Sequence, residues 1–411
     1  MTNSNCRACD NSELIPIHAF APTPYGDTFL ESQREATQLK CEPLELSRCS
    51  KCFLLQLRHD TDLDSQYRNY LYFTRVTHKL GEFYQNVAST LYSKLHLSKH
   101  DLVLDIGSND GTFLTCFKTT SSQLLGVDPS LPACEEANKI GIEVINEYFN
   151  SALASRILDA YKAPKLITCN YTIANVPNLT DFFTGLSALA SSNTQINIIT
   201  GYHLDQFQIG MFDYIGHDHL THLTVHDFQN LCDVHGLKIN YARRHEHKGG
   251  SLEIGIIKSN SSLPIEDSVS QLLQREMWLG ANGNSSIHTM INKIELNRSF
   301  VYQFLSSLKM SKVPIFGTGA SISTTSLLFN FQIGTFVDEL YDDDSRKVGR
   351  FSPGFGIEVD YLDNIAINHS SVNIILAWQH TTRLLSRLRD LNYPGLILLP
   401  MPEAKLFRLD L

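Results

Sequence analysis

Asp101-Leu-Val-Leu-Asp105-Ile-Gly107-Ser-Asn109-Asp110-Gly111-Thr-Phe-Leu is followed, after a short break, by Leu124-Leu-Gly-Val-Asp128-Pro-Ser130. The run 102–106 is apolar and strand-like, with Asp105 near its end. Gly107 and Gly111 bracket a polar turn, and a helical apolar pattern starts at Phe113. Strand, glycine-bearing turn and helix open a βαβ unit. A second apolar strand, 123–127, ends in Asp128 about twenty residues on, where a carboxylate can accept both hydroxyls of an adenosine ribose.

Two cofactors fit such a unit. A dinucleotide needs glycines that let a pyrophosphate sit on the helix N-terminus. Gly107-Ser-Asn-Asp-Gly111 is not G-x-G-x-x-G, and Asp105 and Asp110 add negative charge where phosphates would lie. S-adenosylmethionine carries a sulfonium and an ammonium and no phosphate, so acidic residues suit it. The Asp-Ile-Gly-Ser-Asn-Asp-Gly run resembles the first motif of class I methyltransferases. The expected cofactor set is Asp105, Gly107, Asn109, Gly111, Asp128 and Asn170.

The chain has 411 residues, 43% of them apolar, enough for two or three domains with sizeable cores. A net charge of −9 argues against nucleic acid or a membrane surface as partner. No apolar run approaches the roughly 20 residues that span a bilayer. The start lacks the basic and apolar regions of an export signal, so a cytoplasmic location is expected. Nine cysteines then read as thiols or a metal site rather than disulfides.

Cys6-x2-Cys9 and Cys49-x2-Cys52 stand 39 residues apart. Two such pairs are the spacing of a four-thiolate zinc ribbon, each knuckle turning two sulfurs toward one tetrahedral ion. Cys41 breaks the pairing and is left out. Residues 61–75 are rich in tyrosine, and a helix is expected over 76–95. From 101 to 258 strands at 102–106, 123–127, 142–145, 165–170, 195–200, 238–243 and 251–258 alternate with helices. That rhythm favours a mostly parallel sheet with helices on both faces, and Asn170 at a strand end would face the ligand cleft.

After the fifth strand comes Phe212-Asp-Tyr-Ile-Gly-His217-Asp218-His219-Leu-Thr-His222, with three histidines and two acids in eleven residues. The H-x-H-x-x-H spacing admits a metal. It equally admits proton transfer by a neutral imidazole that a neighbouring carboxylate orients. It also admits a plain polar loop. Residues 263–309 read as helical. A second α/β unit follows: a strand at 313–316, a turn Gly317-Thr-Gly319-Ala-Ser321 opening a helix, and strands at 335–338, 374–377 and 396–399. A lone G-x-G fits either a phosphate contact or a tight structural turn.

Taken together the chain resembles the sugar C-methyltransferase family of deoxysugar biosynthesis, whose members have a zinc domain, a methyl-donor domain and a Rossmann-like C-terminal domain. The landmarks are the four cysteines, Tyr70-Leu-Tyr72-Phe, Asp105–Gly111, Ala174-Asn175-Val-Pro177, His217-Asp-His219-Leu, Gly249-Gly-Ser-Leu252, Gly317-x-Gly-Ala320, Lys347-x-Gly-Arg350 with Pro353-Gly354, and Ala377-Trp378. The resemblance implies an α/β fold with domains at 1–75, 76–262, 263–310 and 311–411, the last binding a sugar nucleotide. It implies methylation of a nucleotide-linked 4-keto-deoxysugar: a base forms an enolate, which takes the methyl of S-adenosylmethionine. His219 matches the family's base; Asp218, His217 and Tyr72 complete the expected catalytic set. Cys6, Cys9, Cys49 and Cys52 would hold a structural zinc. Four positions depart from the family pattern. Gly216 replaces a tyrosine, Asp218 a glutamate, Asn175 a histidine and Ser323 a lysine. Two other readings therefore stay open: methylation of oxygen or nitrogen, and a degenerate carbohydrate-binding homologue. The oligomeric state is not legible.

Overall fold

Among the described residues, three strands fall in the first sixty positions: β1 (Leu14–Thr23), β2 (Glu42–Cys49) and β3 (Leu55–Leu57). The computed structural model describes residues 5–62, 64, 67–68, 73–76, 78–118, 123–367 and 369–409. It separates into two units, neither continuous in sequence. One contains Met1–Ile15, Ser47–His203 and Asp218–Gly283; the other contains Pro16–Leu46, Leu204–His217 and Asn284–Leu411.

The first unit is built on β4 (Leu102–Ile106), β5 (Gln123–Val127), β6 (Glu143–Ile145), β7 (Leu166–Asn170), β8 (Gln195–Gly201), β10 (Leu237–His245) and β11 (Ser251–Lys258), with β9 (Thr221–His222) outside that sheet. The sheet order is β10-β11-β8-β7-β4-β5-β6. Strands β4 to β8 are parallel, whereas β11 is antiparallel to both β8 and β10. Every residue of β4, β7 and β8 is buried, as strands covered on both faces must be. Helix α1 (His78–Leu95) lays Leu80, Val87 and Leu91 into a core with Val103, Phe113, Phe117 and Leu166. The strand order reverses between β4 and β7, and in open α/β sheets ligands bind at that reversal, beyond the carboxyl ends.

Strand β9 pairs with β3, Leu55 opposite His222 and Gln56 opposite Thr221. Thr224 then caps α2 (Val225–Val234) in a reciprocal capping box with Asp227. Glu276 of α3 (Ser268–Trp278) fixes the same helix start: its carboxylate accepts from the N–H groups of Val225 (2.7 Å) and His226 (3.0 Å) and from Tyr202 Oη (2.9 Å). These contacts hold the downstream end of the histidine loop.

The second unit carries a six-stranded sheet, order β14-β13-β12-β15-β16-β17, from β12 (Ile315–Thr318), β13 (Glu339–Asp342), β14 (Val359–Tyr361), β15 (Val372–Ile375), β16 (Leu396–Leu399) and β17 (Lys405–Arg408). All its neighbours are parallel except β16 with β17. The strand expected at 335–338 lies at Glu339–Asp342 instead. Asp338 sits ahead of it, accepting the Ile315 N–H at 2.9 Å, and the parallel ladder to Phe316–Thr318 selects the residues that follow. The strand expected at 374–377 likewise runs two residues earlier. The helical stretch is two helices, α3 and α4 (Ser285–Met310). Among the described residues no helix is long and apolar enough to cross a membrane.

Glu276→Ala would leave buried donors at the start of α2 without an acceptor. It is expected to destabilise the first unit by about 2–3 kcal/mol, read from urea unfolding.

Candidate active site and zinc site

The first knuckle, Cys6 to Cys9, is tied through Arg7 to residues 57–60 and 177–179. Its buried guanidinium pairs with Asp60 at 2.8 Å and donates to the carbonyls of Leu57, His59 and Pro177, while Leu179 N–H donates to Arg7 O at 3.0 Å. The sulfur atoms of Cys6, Cys9, Cys49 and Cys52 all lie within 4.8 Å of one another, Cys6 to Cys52 at 3.5 Å and Cys9 to Cys49 at 3.7 Å. A tetrahedral ion with arms of about 2.3 Å has sulfur–sulfur edges of about 3.8 Å, so the four thiols fit zinc. The N–H groups of Ala8, Lys51 and Cys52 point at Cys6 and Cys49 sulfurs at 3.4–3.5 Å, a second layer of donors that steadies thiolate charge. The Cys6 thiol is drawn down to about 6 by the hydrogen bond from Cys52, whose own pKa rises in consequence. Cys41 is exposed and stands apart from this cluster. Among the described residues it is the only grouping of three or more His, Cys, Asp or Glu side chains that could hold a metal.

At the strand-order reversal, Asp105 is buried at the end of β4. Its Oδ1 accepts from Thr168 Oγ1 at 2.6 Å and more weakly from Asn170 Nδ2 at 3.4 Å. Burial pushes Asp105 up to about 7, with repulsion from Asp128 adding to the shift. Asp128 is also raised by burial. Its Oδ2 accepts the Asn109 N–H and its Oδ1 the Ser130 N–H, both at 2.8 Å, so it also clamps the β4 turn. Asn109 turns its side-chain oxygen to Thr74, accepting from the N–H at 3.0 Å and the hydroxyl at 3.2 Å. Gly107 has φ +75°, and a Cβ there would sit 2.0 Å from Thr172 Oγ1, so the close chain approach alone demands glycine. Gly111 begins the short helix Thr112–Thr115. Asn170 Oδ1 is buried with no hydrogen-bond partner among the described residues. Two desolvated carboxylates and an unsatisfied acceptor fit a cationic ligand and would repel a phosphate. Asp105, Asp128 and Asn170 would hold S-adenosylmethionine, which supplies an electrophilic methyl group on a sulfonium.

Past Asn170 the chain enters the left-handed region at Tyr171 (φ +55°). Tyr171 Oη shares a hydrogen bond with Ser251 Oγ at 2.8 Å, and the Lys248 ammonium lies 3.8 Å from the centre of its ring. Burial lowers Lys248 to about 8, and Asp218 pulls it back up. Asp218 Oδ1 in turn lies 3.7 Å from His219 Nδ1. His222 is buried and pushed down to about 3 by desolvation, with His219 adding to the effect, so it is a neutral ring. Asp218 and His219 thus share one neighbourhood with Lys248 and Tyr171, beyond the carboxyl end of β7. Asn175 donates from Nδ2 to Tyr67 Oη at 2.9 Å. Tyr70 and Tyr72 lie outside the described residues. Sequence reasoning missed Lys248, Tyr171 and Thr168; the one signal was a lysine directly before Gly249-Gly250.

His217 belongs to the second unit, buried with its Nε2 3.2 Å from Glu42 O and its ring edge-on to Tyr25. There too, Asp213 is a buried carboxylate, raised by desolvation and accepting from Trp378 Nε1 and Gln379 Nε2, each at 2.9 Å. In the Gly317–Ser321 turn, a Cβ on Gly319 would meet Ala377 Cβ at 2.3 Å, and Asp342 Oδ2 takes the Ala320 N–H at 2.6 Å. Packing accounts for that glycine without a ligand.

Three family models match in succession: a zinc binding domain over residues 6–67, a methyltransferase domain over 75–241 and a C-methyltransferase C-terminal domain over 246–402. The C-methyltransferase NovU of Streptomyces niveus is 22% identical over 402 residues, 97% of this chain and 96% of its own. The chain belongs to the C-methyltransferases of this three-domain build. It is an S-adenosylmethionine-dependent enzyme. Among solved structures, the magnesium protoporphyrin IX methyltransferase ChlM of Synechocystis with bound SAH is 14% identical over 45% of this chain and 85% of its own, at a TM-score of 0.34. A SAM-dependent methyltransferase of Anabaena variabilis is 12% identical over 48% and 89%, at 0.36.

One zinc per methyltransferase chain is expected by atomic absorption, and Cys49→Ser should lose it and lower the unfolding midpoint. Asp105 gives a sign-definite pH effect. Its folded pKa lies above the value near 3.9 of an exposed aspartate, so its contribution to stability is full below about pH 4 and lost as pH rises through about 7. A bound cation reverses this by favouring the ionised form. Donor affinity should therefore rise from pH 5 to 8 with release of a proton, measured by calorimetry in two buffers. Asp105→Asn should bind weakly and without that pH dependence.

Proposed function

We propose that this methyltransferase acts on a nucleotide-linked 4-keto-deoxysugar, methylating a carbon next to the ketone through an enolate formed by His219. The observation that carries the reading is the Asp218–His219 pair, 3.7 Å apart, in one neighbourhood with Tyr171 and Lys248 past the end of β7. A ketone acidifies the adjacent C–H, and an imidazole is suited to remove that proton near neutral pH. Asp218 faces Nδ1, which leaves Nε2 as the basic nitrogen and lets the carboxylate stabilise the imidazolium as it forms. The separation exceeds a hydrogen bond, as pairs without substrate often do. The zinc is structural: four thiols complete its shell and leave no open position for chemistry.

The acceptor class rests on resemblance to sugar C-methyltransferases and on the similarity to NovU. The second unit supports a ligand of different charge from the first. At the place where β4 carries Asp105, one residue before the strand's end, β12 carries Gly317. The second sheet therefore lacks a buried acid at that position and suits a neutral or anionic group such as a sugar nucleotide. Tyr72 is proposed beside the base by resemblance alone.

His219→Ala should abolish both solvent-deuterium washout at the sugar's α-carbon and methyl transfer, with zinc content unchanged. Full washout and turnover in that variant would exclude His219 as the base, and a product lacking a new C–CH3 signal would exclude carbon as the acceptor.

A further inference from the structure

Arg7 stands between the zinc ligands Cys6 and Cys9, yet its side chain, wholly buried, reaches two other stretches of the first unit. On one side lies β3. The Arg7 N–H donates to Gln56 Oε1 at 2.9 Å, and the guanidinium donates to Leu57 O at 3.4 Å and His59 O at 3.3 Å. Those residues carry the histidine loop: Leu57 N–H donates to Leu220 O at 2.9 Å, and Gln56 lies opposite Thr221. Leu220 directly follows His219. On the other side lies the turn that leaves β7 after Asn170. The guanidinium donates to Pro177 O at 3.4 Å, and Arg7 O accepts the Leu179 N–H at 3.0 Å. Thr172, in the same turn, packs on Gly107 of the donor loop. The direct tie between the two stretches is a weak one, Thr221 Oγ1 donating to Ala174 O at 3.5 Å.

We propose that Arg7 is a positioning residue that sets the spacing between the base His219 and the donor edge marked by Gly107 and Asn170. This rests on the enolate reading above. A buried cation is a costly way to fill space, since an apolar side chain of similar volume would hold the knuckle with no charge to desolvate. Asp60, 2.8 Å away, offsets that cost, and the planar guanidinium does what no apolar side chain does. Its fork of N–H donors holds carbonyls of both stretches at once, and a lysine ammonium lacks that reach. Proton removal needs only the acceptor beside His219. Carbon–carbon bond formation also needs the donor aligned with the acceptor carbon, and a displacement of about 1 Å from a remote change can cost about 100-fold there. Loosening the clamp therefore separates the two steps: the enolate still forms, and the methyl is transferred slowly.

The test uses the full-length zinc-loaded enzyme and a nucleoside diphosphate 4-keto-6-deoxyhexose as probe. Deuterium exchange beside the ketone is followed by NMR with S-adenosylhomocysteine present, and methyl transfer is followed separately with S-adenosylmethionine. Arg7→Met keeps the stem and loses the fork. It should lower kcat for methyl transfer by about 30-fold or more while exchange stays within about 5-fold of wild type. Arg7→Lys keeps the charge beside Asp60 without the fork and should show the same separation, less pronounced. A role in folding alone would lower both readouts by the same factor. That result, or methyl transfer within about 3-fold of wild type in both variants, overturns the role of Arg7 while His219 stands. Zinc content and the urea midpoint show whether each variant is folded. If Arg7→Met is not, Arg7→Lys decides: transfer falling about 5-fold or more beyond any fall in exchange supports the clamp, and a smaller difference overturns it. If the wild-type enzyme exchanges no deuterium, the enolate reading itself fails and this inference with it.

Discussion

Two carboxylates taken out of water at the carboxyl edge of one parallel sheet set the terms for the rest of the first unit. Parallel pairing places Asp105 opposite Gly126 and Ile106 opposite Val127, so Asp128 follows within one residue of the same edge. Each acid is raised by burial, and Asp128 adds to the shift of Asp105. A fold that buries like charges together is stable with both ionised only when hydrogen bonds or a cation offset the desolvation. Thr168, Asn170 and two backbone N–H groups supply part of that compensation, and a sulfonium and ammonium suit the remainder. The charge of the cofactor thus follows from the electrostatics of the edge.

The zinc knuckles act at a distance from this chemistry but on the same element. Cys49 ends β2 and Cys52 leads into β3; β3 pairs with β9, and β9 begins two residues after His219. From the other side the Cys6 knuckle is fixed by Arg7 to residues 177–179. Four sulfurs gathered on one ion would therefore restrict the position of the histidine loop, and Glu276 restricts it again at the start of α2. A structural metal in this chain serves the precision of a loop, and loops need such support because their backbones lack a ladder of their own.

The two sheets use one device twice. Asp128 accepts the N–H of Asn109 and of Ser130, two residues on; Asp342 accepts the N–H of Ala320 and of Asp344, again two residues on. An acid at the tip of the second strand clamps the turn after the first in both. What differs is the residue one before the end of that first strand, Asp105 in one and Gly317 in the other. The topology is shared, and the ligand charge that each edge tolerates is not.

The sequence by itself determined the zinc quartet, the strand succession of the first sheet and the acids at its edge, because each is a local pattern: paired cysteine spacing, apolar runs, a glycine turn. It misplaced β13, since Thr335-Phe-Val-Asp338 and Glu339-Leu-Tyr-Asp342 carry comparable local patterns and only the ladder to β12 chooses between them. It left Gly319 open between a phosphate contact and a tight turn, where Ala377 crowds the position, and it gave no sign that Thr172 crowds Gly107. Tertiary structure alone brought Lys248 to Tyr171 and Asp218. Those residues stand 30 to 77 positions apart in the chain, and no spacing rule links them. Long-range pairing of β11 with β8 is what closes that distance, and such pairing is a property of the folded sheet rather than of any stretch within it.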